Sequence, residues 1–294
     1  MTKERRRASP LVEASLLLTV FFFGTNFTAV KLVVESVPPI LFAATRFTLA
    51  GLLLLPLALL SGEQGRLSRR DLLPMLGLGL VGVTLTQSVF TLGVGLTTAA
   101  NTALVYSTAP VWGMLLAFAL GWERPRISGV IGIALCLAGV GAIVYGSLDF
   151  AGTSLVGDAL ILVAAVCWGS YTVLTLSFLR RYSALAVAAY AMTFGGLAAF
   201  PLEALDPASL DLTALDGLTW GAAAYSALCS SAFGFAAWGW GVSHVGANRV
   251  LVYQYLVTLI GVSTGVLLLG EEFGAGQLIG AAVILAGVYL ARSK

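Results

Sequence analysis

The residues of this sequence that could do chemistry are polar side chains stranded in apolar runs. Asn26, Gln87, Asn101, Tyr106, Tyr171, Ser230, Ser231, Tyr253 and Gln254 are amides and hydroxyls set among apolar neighbours. Such groups can accept from an ammonium and donate to a carboxylate, so a set of them could hold a zwitterion without trapping it in a full ion pair. The same groups also serve as hydrogen bonds between helices in lipid, worth about 0.6 kcal/mol on average. Arg46 and Lys31 are cations in these runs. A charge inside an apolar span costs roughly 2.5–3.5 kcal/mol on insertion scales, which makes each one a candidate. Arg46 could attract a carboxylate, or it could pin a neighbouring loop or helix end. Lys31 lies near the end of its run and could snorkel to the interface. Trp168 and Trp238 fall deep enough to stack on an apolar, aromatic or cationic group, or to pack. Trp122 and Trp220 sit near run ends, where tryptophan anchors.

The elements that must position these residues follow from composition. The 294-residue chain is 59% hydrophobic and 10% charged, whereas a soluble domain carries roughly a quarter charged residues. A water-soluble reading is excluded. The apolar runs cover about 12–34, 40–60, 72–92, 99–121, 127–146, 155–179, 184–201, 217–241, 247–269 and 275–291, and a spanning helix needs about 20 mostly apolar residues. Turn signals separate them at Pro38-Pro39, Ser61-Gly62, Thr97-Thr98, Pro125, Gly152, Asp206-Pro207, Gly246 and Gly274. The fold class expected is an all-α polytopic membrane protein with ten transmembrane helices. The basic N-terminus, Lys3-Glu4-Arg5-Arg6-Arg7, precedes a first run without a cleavage site and is read as leading into an uncleaved span.

The chain repeats itself. Ala100-Asn101-Thr102-Ala103-Leu104-Val105-Tyr106 returns as Ala247-Asn248-Arg249-Val250-Leu251-Val252-Tyr253, at an offset of 147 residues, half of 294. Ile131-Gly132-Ile133-Ala134-Leu135 is echoed by Ile279-Gly280-Ala281-Ala282-Val283, and Phe23-Gly24-Thr25-Asn26 more weakly by Trp168-Gly169-Ser170-Tyr171. Two units are expected, 1–147 and 148–294, each of five spans. Five is odd, so the second unit enters from the opposite side. Inverted repeats of this kind are a plan of secondary transporters, with the site near the midplane between the halves. The loops assigned to one side hold Arg66, Arg69, Arg70, Arg124, Arg126, Arg180, Arg181 and Arg249, together with both chain ends. The opposite loops hold Glu35, Asp149, Glu203, Asp206, Asp211, Asp216, Glu271 and Glu272. By the positive-inside rule both termini are cytoplasmic; the location expected is a bacterial inner membrane.

Phe23-Gly24-Thr25-Asn26-Phe27, Pro39 with Arg46-Phe47, Ala109-Pro110 with Glu123, Trp168-Gly169-Ser170-Tyr171 and Glu271 resemble the drug/metabolite transporter superfamily, EamA type, over nearly the full length. Within it the nearest resemblance is to YddG-like exporters of aromatic and other amino acids. The resemblance implies ten spans, both termini inside, and a central cavity lined mainly by spans 1, 3, 4, 6, 8 and 9. On it, Asn26, Arg46, Gln87, Asn101, Tyr106, Trp168, Tyr171, Ser230, Trp238, Tyr253 and Gln254 are candidate substrate contacts. Gly24, Pro110, Gly169 and Asn248 are candidate hinges or gates: Gly24 and Gly169 could let helices bend, and Asn101 and Asn248 would sit at opposite mouths of the pathway. Pro110 has Val257 as its repeat counterpart, which predicts that the halves are not mechanically equivalent.

The function expected is export of amino acids or similar small metabolites by alternating access. The alternative is a carrier of cationic drugs or phosphorylated metabolites, and an intramembrane scaffold is a further one. The runs hold no Asp or Glu near their middles, Glu13 sits close to a run end and His244 falls in a short loop. Proton-driven antiport wants a titratable group exposed alternately to both sides, so uniport or exchange is expected. Cys136, Cys167 and Cys229 lie in apolar runs and suit neither a disulfide framework nor a metal. No metal-ligand cluster, catalytic set, phosphate loop or dinucleotide fingerprint is present. No enzyme activity, cofactor, metal or nucleic-acid partner is expected; the partners are the lipid bilayer and a small-molecule substrate, and the unit is a monomer, with a homodimer as the alternative. The GxxxG step Gly276–Gly280, with Ser128 and Gly132 as its counterpart, predicts close helix approach between the halves.

Overall fold

A computed structural model describes residues 10–60, 62–122, 127–147, 155–205 and 215–292. Among the described residues the chain is helical and has no strand. Lipid offers no partner to a backbone N–H or C=O, so an apolar segment must satisfy its own, which a helix does. The helices are α1 (Pro10–Val34), α2 (Pro39–Leu59), α3 (Leu72–Gly79), α4 (Thr86–Leu96), α5 (Ala99–Tyr106), α6 (Ala109–Ala119), α7 (Ile127–Ser147), α8 (Leu155–Leu179), α9 (Ala184–Ala199), α10 (Gly217–Tyr225), α11 (Phe235–Val245), α12 (Ala247–Val250), α13 (Gln254–Leu269) and α14 (Ala275–Arg292). Among the described residues seven helical stretches are long and apolar enough to cross a membrane, and Val130–Ile143 and Ala275–Gly287 are shorter apolar helices. The loop charges Arg124, Arg126, Asp149, Asp206 and Asp211, and residues 1–9, 293 and 294, fall outside the described residues, as does Glu123.

Four of the runs are not the uninterrupted α-helices that hydropathy predicts. α3 and α4 are joined by a π-helical stretch, Leu80–Leu85, and α10 and α11 by another, Ser226–Gly234. The widened turns are filled by hydroxyls: Thr86 Oγ1 donates to Val81 O at 2.6 Å and Ser231 Oγ to Ser226 O at 3.0 Å, both five residues back. The α5–α6 break falls at Ser107-Thr108, next to Pro110 at the start of α6. Proline has no N–H and its ring crowds the carbonyl four residues earlier. The α12–α13 junction is a 3₁₀ turn, Leu251–Tyr253, although Val257 stands where the first half has Pro110. Both halves are therefore broken near this level, with or without proline.

α2 packs along α9, α7 along α14, α4 and α6 on α8, and α1 on α13 and α11. Small residues let the backbones close up. A Cβ placed on Gly280 would lie 2.7 Å from Gly139 O, and one on Gly287 2.7 Å from Gly132 O, so the expected small-residue seam is the α7–α14 contact. One on Gly51 would lie 2.5 Å from Thr193 N across α2–α9.

At one end of the bundle Asp71 ties α3 to the α8–α9 turn. It accepts from Arg181 Nη1 at 2.8 Å and from the Tyr182 hydroxyl at 2.5 Å, while that hydroxyl accepts from Ser68 N at 3.2 Å. Burial, with Asp71 holding its proton, keeps the Tyr182 phenol above its ordinary range, so it remains a donor at neutral pH. Arg181 is 55% exposed and Asp71 11%. Asp71→Ala is therefore expected to lower the unfolding temperature more than Arg181→Ala, because the first strands a buried hydroxyl and the second loses a solvated pair. Thermal unfolding of both variants in one detergent checks the order.

Candidate functional site

A small cavity of about 40 Å³ lies in the middle of the bundle; its lining includes Ser230 of the second π-stretch and Tyr106 and Gln254, which flank the α5–α6 and α12–α13 breaks. α1 contributes Phe23, Asn26 and Phe27; α2 contributes Arg46 and Phe47; α4 contributes Gln87 and Phe90. Tyr106 enters from α5, Trp168 from α8, Ser230 and Phe235 from the α10–α11 segment, and Gln254 and Val257 from α13. The volume holds a few waters and not a metabolite, so this conformation is contracted around its site.

A polar chain crosses the cavity wall. Arg46 Nη1 donates to Ser226 Oγ at 2.6 Å, and Ser226 Oγ donates onward to Asn26 Oδ1 at 2.5 Å. Arg46 Nη2 donates to Gln87 Oε1 at 2.9 Å. The guanidinium also lies over the rings of Phe47 and Phe42, at 4.6 and 5.0 Å. The remaining walls are aromatic. Trp168 meets Phe235 at 5.1 Å and Phe23 at 5.9 Å, and Tyr106 meets Phe90 at 5.4 Å and Phe27 at 6.1 Å.

Asn26, Arg46, Gln87, Tyr106, Trp168, Ser230 and Gln254, expected as contacts from the sequence, are thus brought together. The others are not. Tyr171 stacks on Trp168 at 5.5 Å, behind the cavity wall. Trp238 donates to Thr172 Oγ1 at 3.3 Å and packs on Trp168. Tyr253 is partly exposed on the Leu251–Tyr253 turn and does not line the cavity. Asn101 is fully buried at the start of α5, its Oδ1 3.5 Å from Gln277 Nε2. The Asn248 side chain lies outside the described residues. Gly24 and Gly169 lie where helices cross closely. A Cβ on Gly24 would sit 2.6 Å from Ile260, and one on Gly169 would overlap Ala109 O. Ser226, which couples Arg46 to Asn26, was missed, although it obeys the same rule of a hydroxyl in an apolar run. The cavity phenylalanines carry no such signal, because a ring facing a cavity and one facing lipid read alike.

The two ends of the bundle differ. At one end the Thr97-Thr98 turn between α4 and α5 is clamped from three sides. Lys31 does not snorkel: its Nζ donates to the carbonyls of Val94, Gly95 and Thr97, at 3.0, 3.3 and 2.7 Å. There its charge meets the negative end of α4. Glu271 accepts from Ala99 N and Ala100 N at 2.6 and 2.8 Å, at the positive end of α5. Asp158, a carboxylate passed over in the sequence inventory, sits in the first turn of α8 and accepts from Thr97 Oγ1 at 2.7 Å. At the opposite end the chain encloses a hollow of about 720 Å³, whose walls include Ala117, Val173, Arg180, Ala247 and Arg249. Val173 lies about 7–8 Å along α8 from Trp168, at 1.5 Å per residue.

A family model described as "EamA-like transporter family" matches residues 11–145 and again 155–293. An "Uncharacterized transporter" of Archaeoglobus fulgidus is 28% identical over 95% of this chain and 98% of its own length. A "Probable terminal-alkyne amino-acid exporter" of Streptantibioticus cattleyicolor is 30% identical over 94% and 91%. A "Probable amino-acid metabolite efflux pump" of Salmonella typhimurium is 26% identical over 93% and 92%. A solved structure titled "Crystal structure of protein" superposes with a TM-score of 0.69 over 97% of this chain and 98% of that one, at 20% identity, a likeness of fold.

Proposed function

This chain belongs to the EamA-like transporter family, and from that premise we propose that it exports neutral amino acids, aromatic ones among them, or similar small metabolites by alternating access. The observation that carries the reading is the central cavity, where amides, hydroxyls and aromatic rings from seven helical rods meet beside helix breaks. Irregular backbone at membrane depth is tolerated where it lines such a cavity. One relative is named a probable terminal-alkyne amino-acid exporter and another a probable amino-acid metabolite efflux pump. The chain then has ten spans in two inverted five-helix units, 1–147 and 148–294. Support comes from the two family matches and from π-stretches that begin 146 residues apart, at Leu80 and Ser226. Pairings such as α1 on α13 and α8 on α6 exchange under the same repeat. The loop charges argue for cytoplasmic termini, and the bacterial relatives for an inner membrane. The Arg180 and Arg249 hollow is then the cytoplasmic mouth, open here, and the Glu271 end is the closed outer mouth. The transport unit in this reading is a monomer.

Among the described residues no carboxylate lines the cavity, which favours uniport or exchange and disfavours cationic drugs. In proteoliposomes, counterflow of labelled phenylalanine or leucine is expected, at a rate unchanged by collapsing a pH gradient. Uptake of cationic dyes without amino acids would overturn the substrate reading, and strict dependence on the pH gradient would overturn the uniport one.

A further inference from the structure

We infer that Arg46 forms a carboxylate subsite, so that the transported molecule presents an anionic oxygen pair to it. The inference rests on the transport reading above and names what that site selects. Its first ground is an unbalanced charge. Arg46 is 2% exposed. Among the described residues its guanidinium meets no carboxylate; its hydrogen-bond partners are the neutral Ser226 hydroxyl and Gln87 amide oxygen. These dipoles and the two phenylalanine faces solvate the cation and leave its charge whole. A buried charge taken from water is compensated fully only by a counter-charge in good geometry, and the planar fork of arginine fits a carboxylate in two parallel bonds.

The second ground is independent of charge. Arg46 Nε, Trp168 Nε1 and both polar atoms of Gln254 are buried without a hydrogen-bond partner. All three residues line the same cavity. Buried polar atoms are normally satisfied, and exceptions call for a reason. Whichever way the Gln254 amide is turned, it presents one donating and one accepting end. The open set is therefore rich in donors, with a single acceptor. A carboxylate, which accepts at about four lone-pair positions and donates nothing, fits that excess, and the Gln254 oxygen remains for an N–H of the same ligand. Water in the cavity could satisfy the donors and would leave the charge of Arg46 as it is. The rings of Phe23 and Phe235 are placed for the ligand's apolar part. A cation would meet a like charge and too few acceptors.

The test uses the purified full-length protein in nanodiscs and four probes that share a phenyl ring: phenylalanine, 3-phenylpropionate, phenylalaninamide and 2-phenylethylamine. Binding is read by ligand-induced shifts in thermal unfolding and by competition with labelled phenylalanine. The two carboxylates are expected to bind about tenfold or more tightly than the amide and the amine, the loss of one charge-assisted contact. Arg46→Gln is expected to bring the four affinities together, and Arg46→Lys to keep part of the preference. Should Arg46→Gln fail to fold, the probe series on the unaltered protein still decides. Equal binding of phenylalanine and phenylalaninamide, a carboxylate preference that survives Arg46→Gln, or no binding of any probe at millimolar concentration overturns the subsite. If phenylalanine is transported while its amide competes equally, the subsite falls and the export reading stands. If 3-phenylpropionate binds through Arg46 while no amino acid is transported, the subsite stands and the amino-acid reading falls.

Discussion

Glu271→Ala is expected to open the closed end of the bundle and to cut transport by about an order of magnitude. The local sequence builds the contact. α13 ends at Gly270, whose φ of +66° is the left-handed turn that favours glycine at a helix end. That turn folds Glu271 back onto α5, where its two oxygens take the N–H groups of Ala99 and Ala100. Gly265 leaves the room: a Cβ there would lie 2.6 Å from Glu271 Oε2. Hydrogen bonds to a charged partner contribute about 1.5–3 kcal/mol each, and a charge at a helix end adds a few tenths more. Losing even 2–3 kcal/mol from the closed state shifts its equilibrium with an open one by roughly 30–150-fold, since about 1.4 kcal/mol is tenfold. A cysteine at position 101 reads this out, because Asn101 is fully buried beside the contact. Labelling of Asn101→Cys by a membrane-impermeant maleimide on intact cells should be slow, and about tenfold faster when Glu271→Ala is added. Glu271→Asp should fall between them. Unchanged labelling would show that the carboxylate caps α5 without holding the end shut.

Gly169→Leu should abolish the folded protein, whereas Gly141→Leu should be nearly silent. Both glycines lie inside helices of apolar sequence, α8 and α7. At Gly169 a Cβ would run into Ala109 O and lie 2.7 Å from Gly113 N, so backbone meets backbone where α8 crosses α6. Nothing there is a flexible side-chain tip that could swing away. Overpacking by a methylene or two costs typically about 1–3 kcal/mol, and a leucine between two backbones exceeds that, against a total stability of roughly 5–15 kcal/mol. Around Gly141 nothing lies within 4 Å of the added atom. Monodispersity on size exclusion and the unfolding midpoint compare the two, with Gly169→Ala as an intermediate step. A monodisperse Gly169→Leu protein with an unchanged midpoint would mean that α6 and α8 can separate freely, and that the crossing does not set the distance between the walls of the cavity.

Much of the fold could be read from the chain alone, because lipid enforces one local solution. A run of about 20 apolar residues must satisfy its own backbone, so helix positions followed from hydropathy, and Pro39–Leu59 and Leu155–Leu179 fall within a residue of expectation. The site was legible in part for the same reason. A polar group in lipid is costly wherever it sits, so Asn26, Arg46, Gln87 and Gln254 stood out by type and were found together. Tyr253 and Trp238 stood out equally and lie elsewhere, because cost in lipid identifies a buried polar group and says nothing of which neighbour relieves it.

The sequence by itself determined that this is a helical membrane protein, that its runs repeat with an offset of 147 residues, and which side chains are expensive where they stand. Tertiary structure alone decided which of those side chains share a cavity, and that Lys31, Asp158 and Glu271 converge on the Thr97-Thr98 turn. It also decided that Arg46 is buried without an acidic partner among the described residues. The physical reason is range. Helix formation and insertion are set by residues within a turn or two, whereas charge compensation depends on helices more than 40 residues apart in the chain, whose rotation about their axes is fixed only when small residues such as Gly113 and Gly169 lock the crossings.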